Sequence, residues 1–266
     1  MIDSAIKGLK RLYKERKLSR LYRKYADHTM VPEDSYVRNL ALAERVRHVE
    51  GCVVECGVWR GGMIAGIADL LGSRREYYLF DSFEGLPPAK AIDGRGLKEW
   101  QAATTAPGYH DNCRASADEA DAAMKKSPAT RYLLVKGWFE ETVPRFKPNQ
   151  DIALLRLDGD LYDSTMICLK YLYPYVAGGG IIIIDDYQPW DGCAHAVHEF
   201  LANLSGCDDR PRLQQYDNDI IFLVKRISSP AVPLGEPPLP SALRTDNRGD
   251  EPQQPRLQVA LPKPLR

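Results

Sequence analysis

The sequence predicts an α/β protein whose core is a mostly parallel sheet ending in an antiparallel hairpin. Three observations carry this reading. Ile152 to Leu157 and Ile181 to Ile184 are dominated by apolar residues without alternation, as expected of parallel strands covered on both faces. With a helix from Ser164 to Tyr175 between them they form a right-handed βαβ unit, which leaves the strands parallel and adjacent. An earlier strand, Cys52 to Gly57, runs into a glycine-containing turn and a helix from Met63 to Leu71, the order by which such sheets bring backbone close to a ligand. Near the end, Arg212 to Tyr216 and Ile220 to Val224 flank a turn at Asp217-Asn218 and read as the closing hairpin.

Taken in order, residues 5–25 form a basic amphipathic helix, with Lys10, Arg11, Lys17 and Arg20 among its cations and Leu9, Tyr13 and Leu21 at helical spacing. Such a helix packs on its own protein or on a second copy, or makes weak contact with an anionic membrane surface. Packing is favoured, because a solvated charged face is its commoner fate. Asp34 to Val49 is a second amphipathic helix, with Tyr36, Leu40, Ala43 and Val46 on its apolar face. The second strand, Tyr77 to Phe80, closes in Asp81-Ser82. Phe83 to Arg114, strewn with glycine and proline, reads as an irregular lid. Ser116 to Lys126 is a helix and Tyr132 to Lys136 a strand, and Gly137-Trp138-Phe139 turns at the same carboxyl edge. Tyr187 to Gly192 is a second edge loop before a helix from Cys193 to Leu204. Beyond Ser228 the recurring prolines cannot support a packed core. The expected organisation is a helical extension over 1–28, one α/β domain over 29–227 and a disordered tail over 228–266.

At 266 residues and 44% hydrophobic, the chain can bury one sizeable core. Its formal net charge of zero gives no global pull toward nucleic acid, and no nucleic-acid partner is expected. Six cysteines occur without a CxxC pair or a Cys/His ligand spacing, so they read as free thiols in a reducing cytoplasm. The first residues lack the apolar stretch of a signal peptide and no run approaches a membrane span. A soluble, cytoplasmic protein is expected.

The chemistry lies at the strand ends. Leu157-Asp158-Gly159-Asp160 and Ile184-Asp185-Asp186 bring four carboxylates to one edge, where open α/β sheets bind ligands. So many acids in one cleft call for protons or a divalent cation, and an all-oxygen set favours Mg²⁺ over zinc. The alternative is that Asp158 and Asp185 cap the following helices, but capping needs one acid per helix and here there are two. His195 and His198 lack further nitrogen or sulfur ligands and read as surface or packing residues. At the first turn, Glu55 would repel a pyrophosphate and suits a cationic cofactor. Asp81 stands where ribose hydroxyls are commonly held.

Together, Val54-Glu55-Cys56-Gly57-Val58-Trp59-Arg60-Gly61-Gly62, Phe80-Asp81-Ser82-Phe83-Glu84-Gly85-Leu86-Pro87, Gly137-Trp138-Phe139, Leu157-Asp158-Gly159-Asp160-Leu161-Tyr162 and Asp185-Asp186-Tyr187 resemble the macrocin O-methyltransferase family. The match runs from about Thr29 to Val224. Members are S-adenosylmethionine- and metal-dependent enzymes acting mainly on sugar hydroxyls in antibiotic biosynthesis. The resemblance implies a seven-stranded, mostly parallel Rossmann-like methyltransferase sheet with a C-terminal antiparallel hairpin. It implies that Glu55 and the turn of Gly57, Trp59 and Gly61 hold the methionine part of S-adenosylmethionine, Asp81 the ribose, and Ser82, Trp138 and Phe139 the adenine surroundings. It further implies Mg²⁺ on Asp158, Asp185 and Asp186, with Asp160 or Asp158 as general base. The expected reaction is O-methylation of a vicinal diol on a sugar of a glycosylated metabolite or glycolipid, by a protein that is a monomer or a homo-oligomer. A catechol-type methyltransferase and a non-catalytic scaffold on the same fold are the rivals. A dehydrogenase is disfavoured by Glu55 and by the missing GxGxxG.

Overall fold

The computed structural model describes residues 2–107, 109–204, 210–216 and 220–227, with the side chains of 1–12 and 14 excepted. Cys207, the turn at Asp217-Asn218 and the expected tail from 228 lie outside the described residues. The described residues belong to one compact unit, Met1–Ser228.

Helices α1 (Ile2–Tyr25) and α2 (Glu33–Ala43) lead into β1 (Cys52–Cys56), α3 (Gly62–Leu71) and β2 (Tyr77–Asp81). A connecting segment with α4 (Gly94–Ala102) and a single turn, α5 (His110–Cys113), precedes α6 (Ala117–Lys125), β3 (Tyr132–Lys136) and α7 (Phe139–Thr142). Then follow β4 (Ile152–Leu157), α8 (Tyr162–Leu172), β5 (Val176–Ile184), α9 (Asp191–Asn203), β6 (Gln214–Tyr216) and β7 (Ile220–Val224). The seven strands lie in the order β3-β2-β1-β4-β5-β7-β6. Only β7 runs against the others, inserted antiparallel between β5 and β6. The sheet reverses its direction of growth between β1 and β4, so the crevice beyond their carboxyl ends is where a ligand site is expected.

Side-chain alternation divides the core into two layers. Val53 and Ile183 face one layer, with Leu40, Ile64, Ile67 and Met124 from α2, α3 and α6. Cys52, Val54, Cys56 and Ile184 face the other, with Leu169 and Val197 from α8 and α9. Burying each such aliphatic side chain stabilises by about 1.5–3 kcal/mol. Helix α1 packs on this body: Leu18 and Tyr25 are buried, and the Tyr25 hydroxyl donates to Asp69 of α3 at 2.6 Å. Among the described residues, no helix is long and apolar enough to cross a membrane.

Two local readings need correction, and one local conformation was not foreseen. The lid is not irregular throughout, because α4 forms within it and anchors itself through the buried Leu97. Strand β5 starts at Val176 rather than Ile181, running through Gly178-Gly179-Gly180. Backbone bonds between Gly179 N and Lys225 O (2.8 Å) and between Lys225 N and Gly180 O (3.0 Å) complete that ladder, so the glycines extend despite their low strand propensity. Finally, His110, Asp111, Asn112 and Cys113 all have positive φ, at 47°, 50°, 53° and 61°. This left-handed turn contains no glycine and is held by outside contacts: Asn112 Nδ2 donates to Leu86 O at 2.8 Å, and Leu86 N to Asn112 O at 3.0 Å.

Candidate active site

Backbone hydrogen bonds zip the strand ends into one edge. Gly57 N donates to Phe80 O (2.9 Å), Asp158 N to Cys56 O (2.8 Å) and Asp185 N to Leu157 O (2.9 Å). Gly57, Asp158 and Asp185 therefore stand side by side immediately after β1, β4 and β5. Gly57 has φ +88°, and a Cβ there would lie 1.7 Å from the Asp158 carbonyl oxygen. Gly57→Ala is expected to cost about 3 kcal/mol or more from overpacking and left-handed strain. In a domain of this size that is a fall in Tm of roughly 6–12 °C; an unchanged Tm would refute the close approach.

Above this edge opens a cleft. Gly57, Trp59, Asp81 and Ser82 line it from the β1 and β2 ends, Trp138 and Phe139 from the turn after β3, and Asp158 and Asp160 from β4. Six of the eight residues expected at the cofactor are in that lining; Gly61, with φ +79° just before α3, is not among the lining residues. Asp81 organises the turn: one carboxylate oxygen accepts from Val58 N (2.7 Å) and Trp59 N (2.8 Å), the other from Phe83 N (2.6 Å). Burial raises its pKa, and those three N–H groups oppose the rise. Trp59 itself is left-handed, at φ 48°, with its indole N–H on Arg114 O (3.1 Å) and the Arg60 guanidinium 4.4 Å over its ring.

Glu55 is elsewhere. Its side chain is fully buried, its Oε1 lies 2.8 Å from Arg156 Nη1, and its Oε2 has no hydrogen-bond partner. It does not line the cleft. The expectation that Glu55 faces the donor's cation is therefore corrected: it points inside the sheet to Arg156, the residue opposite it on β4.

The acids at the β4 and β5 ends do converge. Asp158, Asp185 and Asp186 each offer a carboxylate oxygen, and these atoms all lie within 4.8 Å of one another. They are not helix caps: the N-cap positions of α8 and α9 are Leu161 and Trp190, neither with a side-chain cap. The first N–H of α8, on Tyr162, is taken at 2.8 Å by Asp93, a buried lid residue. Asp186 Oδ2 accepts from Asp160 N at 2.9 Å, which helps hold Asp160 in its left-handed conformation of φ 58°. The Trp190 side chain lies near enough to the Asp160 carboxylate to oppose the rise of its pKa. Trp190, from the edge loop, meets Trp100 of the lid edge-on at 6.2 Å, and Trp100 meets Tyr109 at 5.2 Å.

This donor set fits a hard divalent cation. Burial first, and then the neighbouring acids, push the carboxyls of Asp158 and Asp186 up. Asp160 is pushed up to about 7 by burial and then by Asp158. Glu55 rises to about 8 through burial, although Arg156 pulls it down. Ordinary carboxyls ionise near 4. Between about 4 and about 8 the folded chain thus binds more protons than the unfolded one, so stability rises as pH falls through that window. The cation-free protein is expected to melt higher at pH 5.5 than at pH 9, and Glu55→Gln to flatten that dependence. A midpoint that drops toward pH 5.5 in both proteins would contradict it.

Sequence reasoning missed Arg156 and Asn39, described below, and the cleft residues Met30, Cys113, Glu140 and Ser164. The signal for Arg156 was present: one charge inside a strand otherwise apolar from Ile152 to Leu157.

The strand order, with β7 reversed beside β5, and the cleft over β1 and β4 define an α/β methyltransferase fold. Residues 12–222 match the macrocin-O-methyltransferase (TylF) family, and the chain belongs to that family. The match begins inside α1, so the second half of that helix is part of the family's unit. The chain is 34% identical over 61% of its length to a demethyldecarbamoylnovobiocin O-methyltransferase of Streptomyces niveus, covering 62% of that protein. It is 35% identical over 57% of its length to a mycinamicin III 3''-O-methyltransferase of Micromonospora griseorubida, covering 61% of that one. The chain thus spans about three fifths of the length of these relatives. Among solved structures, the O-methyltransferase NovP superposes with a TM-score of 0.62 at 30% identity, over 75% of this chain and 83% of that one. The calicheamicin methyltransferase CalS11 shares the fold, with a TM-score of 0.56 at 23% identity over 80% and 91%.

Proposed function

We propose that this protein is an S-adenosylmethionine-dependent O-methyltransferase that uses a divalent cation, best matched by Mg²⁺, to methylate one hydroxyl of a vicinal diol on a glycosylated small molecule. The observation that carries this is the convergence of Asp158, Asp185 and Asp186 beside a cleft that Asp81 and Trp138 also line. Family membership and relatives that are natural-product O-methyltransferases support the transfer and the substrate class.

In this reading the turn from Gly57 to Gly61 and the Asp81 carboxylate seat the donor, and Trp138 and Phe139 flank its base. A cation bound by Asp158, Asp185 and Asp186 would chelate neighbouring hydroxyls and lower their pKa. Asp160 takes the proton of the attacking hydroxyl, with Asp158 as the alternative base. The hydroxyl oxygen forms its bond to the methyl carbon as the carbon–sulfur bond breaks, and the sulfonium leaves as a neutral thioether. Trp190 orients Asp160, and the ring group of Trp190, Trp100 and Tyr109 places both edge loops beside the acceptor. Fixing the reacting groups in this way can supply several kcal/mol of the barrier reduction.

The test is incubation of the full chain with labelled S-adenosylmethionine and Mg²⁺ across a panel of glycosides, glycolipids and catechols, read by mass. Methylation of a glycoside diol that stops in excess EDTA is the expected result. Full activity in EDTA would remove the cation, and transfer only to catechols would replace the substrate class.

A further inference from the structure

We propose that Arg156 and Asn39 are positioning residues that set the cation affinity of the Asp158, Asp185 and Asp186 cluster. This rests on the cation reading above and assigns roles one layer behind it. Arg156 sits mid-sheet, between Glu55 of β1 and Ile183 of β5, and is fully buried. Its Nη1 lies 2.8 Å from Glu55 Oε1 and 2.6 Å from Asp158 Oδ2, its Nη2 2.8 Å from Asp185 Oδ2, and its Nε donates to Asn39 Oδ1 at 3.1 Å. Asn39, on α2, turns its amide nitrogen to Asp185 Oδ1 and to Ser35 O, both at 3.0 Å.

The connectivity is what matters. Asp185 has a partner on each oxygen, a hydrogen bond from Asn39 Nδ2 to Oδ1 and the Arg156 Nη2 charge 2.8 Å from Oδ2 without hydrogen-bond geometry, and these two partners hydrogen-bond each other. Asp158 is held by one oxygen, which leaves the other to face the cluster. A planar guanidinium with a fixed fork of donors can serve acceptors on two strands at once, whereas an ammonium is a single point charge. Burial works against the Arg156 charge, but Asp158, Asp185 and Glu55 outweigh it and keep it protonated.

Stability does not explain this choice. A buried ion network is often matched or surpassed by well-packed apolar residues, and every other residue of β4 is apolar. What an apolar residue cannot do is hold Asp158 and Asp185 pointing at a common site before a cation arrives. Partners of this kind typically change metal affinity by about 10–100-fold when removed.

The test uses the full chain with Mn²⁺ as the probe, free ion being followed by electron paramagnetic resonance, and folded protein quantified by circular dichroism and gel filtration. Arg156→Lys and Asn39→Leu are each expected to weaken Mn²⁺ binding about 10–100-fold per folded molecule, whatever their change in Tm. S-adenosylmethionine affinity should stay within about threefold of the parent, since neither residue lines the cleft. Equal Mn²⁺ affinity in the parent and in either folded variant would overturn the proposal and leave the proposed function standing. Should Arg156→Lys not fold, Asn39→Leu decides alone. No Mn²⁺ binding by the parent would overturn both the inference and the cation on which it rests.

Discussion

Asp186→Asn is expected to remove divalent-cation binding and to lower turnover at least about 10³-fold, while S-adenosylmethionine still binds. The size follows from the several kcal/mol a metal contributes to such a transition state, at tenfold per 1.36 kcal/mol. The substitution is nearly isosteric, and the amide oxygen of Asn can still accept the Asp160 N–H that Asp186 Oδ2 accepts at 2.9 Å. The fold around the turn should therefore survive. Calorimetry with Mn²⁺ and with the donor, beside a single-turnover rate, checks each part. Wild-type turnover without measurable cation binding would end the metal-dependent mechanism.

Asp160→Asn is expected to lower turnover by about 10²–10⁴-fold, the usual loss for a general base, with cation and donor binding retained. Asparagine accepts the left-handed conformation seen at Asp160, φ 58°, better than most residues. Its side-chain oxygen can also keep the Trp190 contact. The loss would then report chemistry rather than a collapsed turn. A near-normal rate would move the proton transfer to Asp158, two residues earlier on the same edge.

The two variants bear on acids that could be located before any coordinates. Strand and turn patterns placed Gly57, Asp81, Asp158 and Asp185 at one edge because a parallel sheet leaves little freedom about where strand ends point. What could not be read was direction. Glu55 and Asp158 both stand near the ends of neighbouring strands, yet one turns into the sheet and the other into the cleft. That difference depends on Arg156, whose partners lie on β1 and α2 and just past β4 and β5, up to 117 positions from it in sequence. No local window contains such a network. The same holds for α4, whose seating on Leu97 is a tertiary fact. It holds also for the turn at His110 to Cys113, whose conformation opposes its own residue preferences.

That turn has a mechanical consequence. Left-handed backbone costs on the order of 1 kcal/mol or more per non-glycine residue, and although His, Asp and Asn tolerate it comparatively well, Cys113 does not belong to that group. The loop that carries Cys113 into the cleft wall is thus wound like a spring, latched where Asn112 clasps Leu86. Release of that latch would relieve the left-handed strain in a segment that supplies one wall residue of the cleft, Cys113.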